Sequence, residues 1–122
     1  MEIRPTAKGT QSGYSYENKE HWEDRVTLHL VDDAEAWGAA EVALNAWRAL
    51  RCRDGGRIDI RSDGAGQPQF LEVNPLAGLN QHHSDLCFLA RFRGLSYQEL
   101  IGLIMDSFLK RHPELSSRRA AA

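Results

Sequence analysis

RIDIRSDGAGQPQFLEVN, residues 57–74, is the stretch whose reading decides the fold. Two β-like runs, Arg57 to Arg61 and Gln69 to Asn74, flank the connector SDGAGQP. A Gly-rich connector between two such runs predicts a hairpin with a longer loop. If Asp59 sits opposite Glu72, then Arg57 lies opposite Asn74 and Arg61 opposite Phe70. Side chains alternate faces with period two, so Arg57, Asp59, Arg61, Glu72 and Asn74 point one way. Ile58, Ile60, Leu71 and Val73 point the other way, onto helices. A one-residue slip of either strand would bury charge, which pins the register.

Upstream, Val26 to Val31 alternates apolar and polar residues and reads as a half-buried strand. Asp32 then offers an N-cap, with Glu35 three residues later to complete a capping box. Trp37, Ala40, Leu44 and Trp47, widened by Ala43 and Leu50, form an apolar stripe that predicts a helix from about Ala34 to Leu50, stripe buried. Asp54-Gly55-Gly56 breaks it. Residues 1–25 read as a short lead-in strand and a mobile loop. Downstream, Pro75 and Gly78 end the second hairpin strand. Ser84 is expected to cap a short helix, DLCFLARFR, closed by Gly94 at C′. Ser96 with Glu99 makes a capping box for a last helix carrying Leu100, Ile101, Ile104 and Phe108, stopped near Pro113. The expected fold is α+β, a mainly antiparallel sheet with helices on one face, in one domain over residues 1–112. Residues 113–122 are expected to be a disordered tail.

Composition narrows the function classes. The 122 residues are 42% hydrophobic and 26% charged, with 15 basic against 17 acidic side chains and a formal net charge of -2. No basic stripe stands out, so nucleic acid is not an expected partner. No apolar run is long enough to span a bilayer, so no membrane is expected either. Cys52 and Cys87 have no metal-ligand spacing and read as two buried, reduced thiols, which fits a cytoplasmic protein. His21, His29, His82 and His83 lack the spacing of a zinc site and read as surface or substrate-edge residues. Ser84 between His83 and Asp85 is no catalytic triad, because adjacent residues cannot take those roles. Trp37 and Trp47 read as core, whereas Trp22 is open to a contact role.

The polar face of the hairpin carries the chemistry. Asp59, Glu72 and Asn74 bring two carboxylates and a carboxamide to one side, and such hard oxygen donors suit Mg²⁺. Facing carboxylates repel, and a divalent cation removes that cost. Arg57 and Arg61 offer an equal alternative on spacing alone, a solvated face of cross-strand salt bridges.

AWRALRCRDGGRIDIRSDGAGQPQFLEVNPLAGL, extended by EIRP and YSYENK upstream and GLSYQELI downstream, resembles the C-terminal part of the ATP-binding domain of D-alanine–D-alanine ligases, within the ATP-grasp superfamily. The resemblance covers essentially residues 2–110. Its most specific element is G-R-x-D-x-R followed by E-V-N and a nearby Gly. It implies the C-terminal portion of the ATP-grasp fold. It also implies ATP-dependent joining of a carboxylate to an amine through an acyl-phosphate, with ATP and Mg²⁺ or Mn²⁺ as cofactors and a place in peptidoglycan biosynthesis. Asp59, Glu72 and Asn74 would hold the metal. Arg57 and the Gly78 N–H would stabilise charge on the intermediates, and Lys19 would contact the terminal phosphates. Tyr14 and Tyr16 would belong to the loop that closes over the site.

Two departures stand out. NPLAG puts Ala77 where the family has proline. Ser84, in the place of the hydroxyl residue that binds the acceptor's carboxylate, comes one residue late, with His82 and His83 crowding the acceptor position. The acceptor is left open between D-alanine and another amino acid or a peptide. The family's substrate domain and adenine-binding lobe have no counterpart in these residues, as in a C-terminal piece or a truncated reading frame. The alternative expectation is therefore a non-catalytic remnant that self-associates, for instance as a homodimer, or binds a partner.

Overall fold

A computed structural model describes residues 1–6 and 26–115. In chain order the elements are β1 (Glu2–Pro5), β2 (Val26–His29), α1 (Ala34–Ala49), β3 (Arg57–Ser62), β4 (Pro68–Asn74), α2 (Asp85–Phe92) and α3 (Tyr97–Arg111). β1 pairs antiparallel with β2, and β3 with β4, giving two small sheets in the α+β arrangement expected. Lys19, Tyr14, Tyr16, His21 and Trp22 lie outside the described residues, as does the tail from 116 onward.

β3 and β4 form the expected hairpin, with one correction. Arg57 faces Asn74, Ile58 faces Val73 and Asp59 faces Glu72, but Ile60 then faces Phe70 and Arg61 faces Gln69. Leu71 is the extra residue of a β-bulge, which inserts one residue into one strand and bends it. Phe70 therefore takes the place expected for Leu71 beside Ile60, and Leu71 is left 58% exposed.

α1 packs on both strands of the hairpin. It starts at Ala34 as expected, but the cap is one residue later. Asp33, not Asp32, is the N-cap and accepts from the Ala36 N–H at 2.8 Å, so Glu35 is out of phase for a capping box. Asp32 instead accepts from the Trp37 indole N–H at 2.8 Å. The inward stripe matches expectation at Ala43 and Trp47 and differs at Trp37, Ala40, Leu44 and Leu50. Ala39, Val42, Ala43, Ala46 and Trp47 are half-buried, whereas Trp37 is 64% and Leu44 53% exposed. At 100° per residue, Trp37 and Leu44 fall on the side of the helix away from Ala39, Ala43 and Ala46. Small side chains let α1 approach the hairpin closely, to the point that a Cβ at Gly38 would lie 3.4 Å from the Pro68 ring. Shape, rather than apolar size, chose the face.

α2 packs against α3, and the buried core of the described residues lies between them: Cys87, Ala90 and Leu100, with Leu86, Leu95, Tyr97 and Ile104 packed around it. Both thiols are free, but only Cys87 is buried; Cys52 is half-buried, contrary to expectation. The Ser96–Glu99 capping box forms as expected, with the Ser96 hydroxyl oxygen accepting from the Glu99 N–H at 3.2 Å and the Glu99 carboxylate accepting from the Ser96 N–H at 2.7 Å. The Ser96 hydroxyl, which donates to the Glu99 carboxylate at 2.7 Å, and then the Ser96 N–H hold the Glu99 carboxyl below its ordinary value. Gly94 follows the C-cap of α2 with φ 77°, the C′ role expected of it. The turn between α1 and β3 ties the two halves together. Arg111 near the end of α3 pairs with Asp54, and a Cβ at Gly56 would meet the Trp47 ring and the Asn74 carbonyl oxygen at 2.5–2.6 Å. Only glycine fits where that backbone passes between helix and strand.

Candidate metal and phosphate site

Alternation along β3 and the register with β4 put Arg57, Asp59, Glu72 and Asn74 on the face of the hairpin away from α1. The guanidinium of Arg57 organises them. Its Nε and Nη2 donate to Asp59 Oδ1 and Oδ2 at 2.6 and 3.0 Å, a bidentate pairing of fork with carboxylate. Nη2 also lies 3.9 Å from Glu72 Oε1, and Asn74 Nδ2 donates to that same oxygen at 3.2 Å. Nη1 points elsewhere, to Asp85 Oδ2 at 2.7 Å. Asp59 and Asp85 are 31% and 29% exposed, while Glu72, at 62%, stands open to solvent.

Asp85 is the member of this ion-pair cluster that sequence reasoning missed. It is 28 positions from Arg57, and no period links the two. The available signal was its charge, but an acidic residue in the first turn of a helix already has an ordinary explanation in the helix dipole.

Ser84 precedes Asp85 at the N-cap position of α2, but its side chain makes no capping bond. Its hydroxyl instead accepts from the Asn80 N–H at 2.9 Å, within a tight turn in which the Asn80 carbonyl accepts from the N–H groups of His83 and Ser84. The expected cap is therefore replaced by a loop closure. That turn carries Ser84 back to Gly78, where a Cβ would lie 2.7 Å from Ser84 Oγ. His82 and His83 are exposed at the turn, with ring centroids 6.5 Å apart. The described candidates thus form one chain of contacts, from Gly78 through Ser84, Asp85 and Arg57 to Asp59, Glu72 and Asn74. Lys19 lies outside the described residues.

The donor chemistry fits a hard divalent cation. Asp59 and Glu72 face each other with Asn74 alongside, and the Arg57 fork lies against both Asp59 oxygens and near Glu72 Oε1, so the face attracts positive charge. Among Arg57, Asp59, Glu72 and Asp85, three carboxylates meet one guanidinium, a formal net charge of -2 for the four groups. Among the described residues no three His, Cys, Asp or Glu side chains gather as a metal cluster. The candidate set joins two carboxylates with the carboxamide of Asn74.

Comparison with known proteins adds the family. The model described as "D-ala D-ala ligase C-terminus" matches residues 2–106. An uncharacterized protein of Sinorhizobium fredii, y4sG, is 39% identical over 72 residues, covering 59% of this chain and 21% of that protein. The D-alanine–D-alanine ligase of Alcanivorax borkumensis is 37% identical over 81 residues, covering 66% of this chain and 26% of the ligase. That of Marinobacter nauticus is 37% identical over 99 residues, covering 79% and 30%. The chain thus spans less than a third of the length of each of these relatives. No solved structure is significantly similar to it. With a two-carboxylate, one-carboxamide face on its hairpin and a family match over most of its length, the chain belongs to the D-alanine–D-alanine ligase C-terminal family, the C-terminal part of the ATP-grasp fold.

Proposed function

We propose that this chain is the metal- and phosphate-binding C-terminal part of an ATP-dependent carboxylate–amine ligase that works through an acyl-phosphate. The observation that carries the reading is the joining of Arg57 to Asp59 and Glu72 on one hairpin face, with Asn74 alongside. Asp59, Glu72 and Asn74 would hold Mg²⁺ or Mn²⁺, which when bound neutralises the charge of the ATP phosphates. In the proposed reaction the γ-phosphoryl group passes from ATP to the oxygen of a substrate carboxylate, and ADP leaves. The amine of a second substrate then attacks the acyl carbon, the C–O bond to phosphate breaks, and the nitrogen loses a proton.

The chain's own groups have distinct tasks in this scheme. Arg57 and the Gly78 N–H stabilise the developing oxyanion, the role of preorganised donors in acyl transfer. Lys19 contacts the terminal phosphates. Ser84 holds the acceptor, an amino acid or a peptide. ATP and these substrates are bound jointly with the substrate and adenine lobes that the ligase family uses, and the setting is cytoplasmic, in cell-wall precursor synthesis.

Isothermal titration of Mn²⁺, with and without ATP, into the chain and into Asp59→Ala/Glu72→Ala tests the site. Metal binding that the double variant loses supports the reading. Identical titrations for the two proteins refute it.

A second reading is favoured by one observation, the Trp37–Ala40–Leu44 stripe exposed on α1. In this reading the chain associates with itself through that stripe and catalyses nothing. Loss of self-association in Trp37→Ser, measured by sedimentation, tests it.

A further inference from the structure

We infer that Asp85 is a positioning residue that retains Arg57 at the site when a divalent cation takes the Asp59 carboxylate; the inference rests on the metal-binding reading of the hairpin. The argument begins with the two edges of the Arg57 fork. Nε and Nη2 use one edge on Asp59 and Nη1 uses the other on Asp85, so either partner can be released without releasing the other. The oxygens that Arg57 occupies on Asp59 are the ones a metal would need. Cation and guanidinium repel each other and compete for that carboxylate, so metal entry weakens or breaks the bidentate pairing.

An Arg57 anchored by Asp59 alone would then lose its anchor at the moment its charge is needed beside the reacting groups. Asp85, fixed on the first residue of α2 and partly shielded from solvent, keeps a 2.7 Å bond to Nη1 that lies outside this competition. It also gives Arg57 somewhere to go. The guanidinium need not remain on Asp59, so metal binds more tightly with Asp85 present than without it.

A bland account of Asp85 exists, since an acidic side chain in the first turn stabilises any helix. The accounts separate in a double-mutant cycle with Mn²⁺ affinity as the readout, followed by electron paramagnetic resonance. Asp85→Asn in the otherwise unchanged chain is expected to weaken Mn²⁺ binding by about five-fold, the size of one partly exposed charged interaction. Arg57→Ala is expected to tighten it. In the Arg57→Ala background, Asp85→Asn is expected to change it by less than about two-fold, because the residue it positions is gone. Asp85→Ser keeps a polar side chain at the helix start, removes the carboxylate and is expected to repeat the Asp85→Asn result. Circular dichroism of each variant shows that it is folded.

Equal effects of Asp85→Asn in both backgrounds, or none in either, overturn the positioning role while leaving the metal site standing. Mn²⁺ binding that is absent, or unchanged by Asp59→Ala/Glu72→Ala, overturns the metal reading and this inference with it.

Discussion

Gly56→Ala is the substitution whose consequence the structure determines most closely. A Cβ on Gly56 would stand 2.5 and 2.6 Å from Cη2 and Cζ3 of Trp47, and 2.6 Å from the Asn74 backbone oxygen. Rotating the indole away would relieve the first two contacts and leave the third. The third is the more serious, because that oxygen belongs to the backbone of β4 opposite Arg57 and cannot move alone. The variant must therefore displace the α1–β3 turn from the end of the hairpin. Overpacking of this kind costs about 1–3 kcal/mol. Taking about 2 kcal/mol, and roughly 3–6 °C per kcal/mol for a chain of this length, the thermal midpoint falls by about 6–12 °C. The assay is thermal unfolding followed by near-ultraviolet circular dichroism, which reports on the packing of the aromatic side chains, Trp47 among them. Gly64→Ala is the control, since nothing lies within 4 Å of its Cβ. Because Asn74 is a candidate ligand, Gly56→Ala should also weaken Mn²⁺ binding. A midpoint within about 2 °C of the parent, indistinguishable from Gly64→Ala, would refute the close-approach argument.

Removing the capping hydroxyl by Ser96→Ala should cost about 1 kcal/mol, read as a lower urea midpoint at unchanged slope. Two carboxyls predict an acid limb: hydrogen bonds from Arg111 hold Asp54 below its ordinary 3.8, and those from Ser96 hold Glu99 below 4.5. A depressed folded value means that the stabilisation is full above the unfolded value and is lost as pH falls through the folded one. Urea midpoints should therefore hold steady above about pH 5 and fall below pH 4, with part of the fall removed in Ser96→Ala; a flat profile down to pH 2 would contradict the assignment. Trp37→Ser should change stability by less than about 0.5 kcal/mol, because the ring is mostly in water, whereas Trp47→Ala should cost more than about 2 kcal/mol. Thiol labelling of the folded chain should consume Cys52 first. Cys87 is buried, and burial pushes its thiol up, so fast labelling of both cysteines would show that α2 and α3 are not packed as described.

Local chemistry was legible in the sequence, and placement over distance was not. Ser96 and Glu99 are three residues apart and satisfy each other, so nothing outside the turn bears on the outcome. The face shared by Asp59, Glu72 and Asn74 follows from alternation, which a strand imposes on itself. The bulge was hidden because Phe70 and Leu71 are both large and apolar, and either would satisfy the pattern beside Ile60. The buried side of α1 was misjudged for a related reason. Hydrophobic periodicity weights Trp37 and Leu44 above Ala39, Ala43 and Ala46, while close packing on the hairpin favours the smaller side chains. Ser84 was correctly placed at the start of α2, but its hydroxyl is claimed by Asn80 in a turn no pattern announces. Asp85 is the extreme case, since only the packing of α2 beside the hairpin brings it to Arg57.

The bulge at Leu71 also governs how this hairpin tolerates changes in length. Deleting a residue from a regular strand exchanges the two faces beyond the cut, which here would turn charged side chains toward α1. Leu71 is different because it is already the residue in excess. Its deletion would leave Phe70 opposite Ile60 and Glu72 opposite Asp59, and simply straighten the strand between them. Removing Val73 would instead throw Glu72 and Asn74 out of phase with each other. One position in β4 can therefore be lost while the acidic face stays intact, and it lies directly beside Glu72.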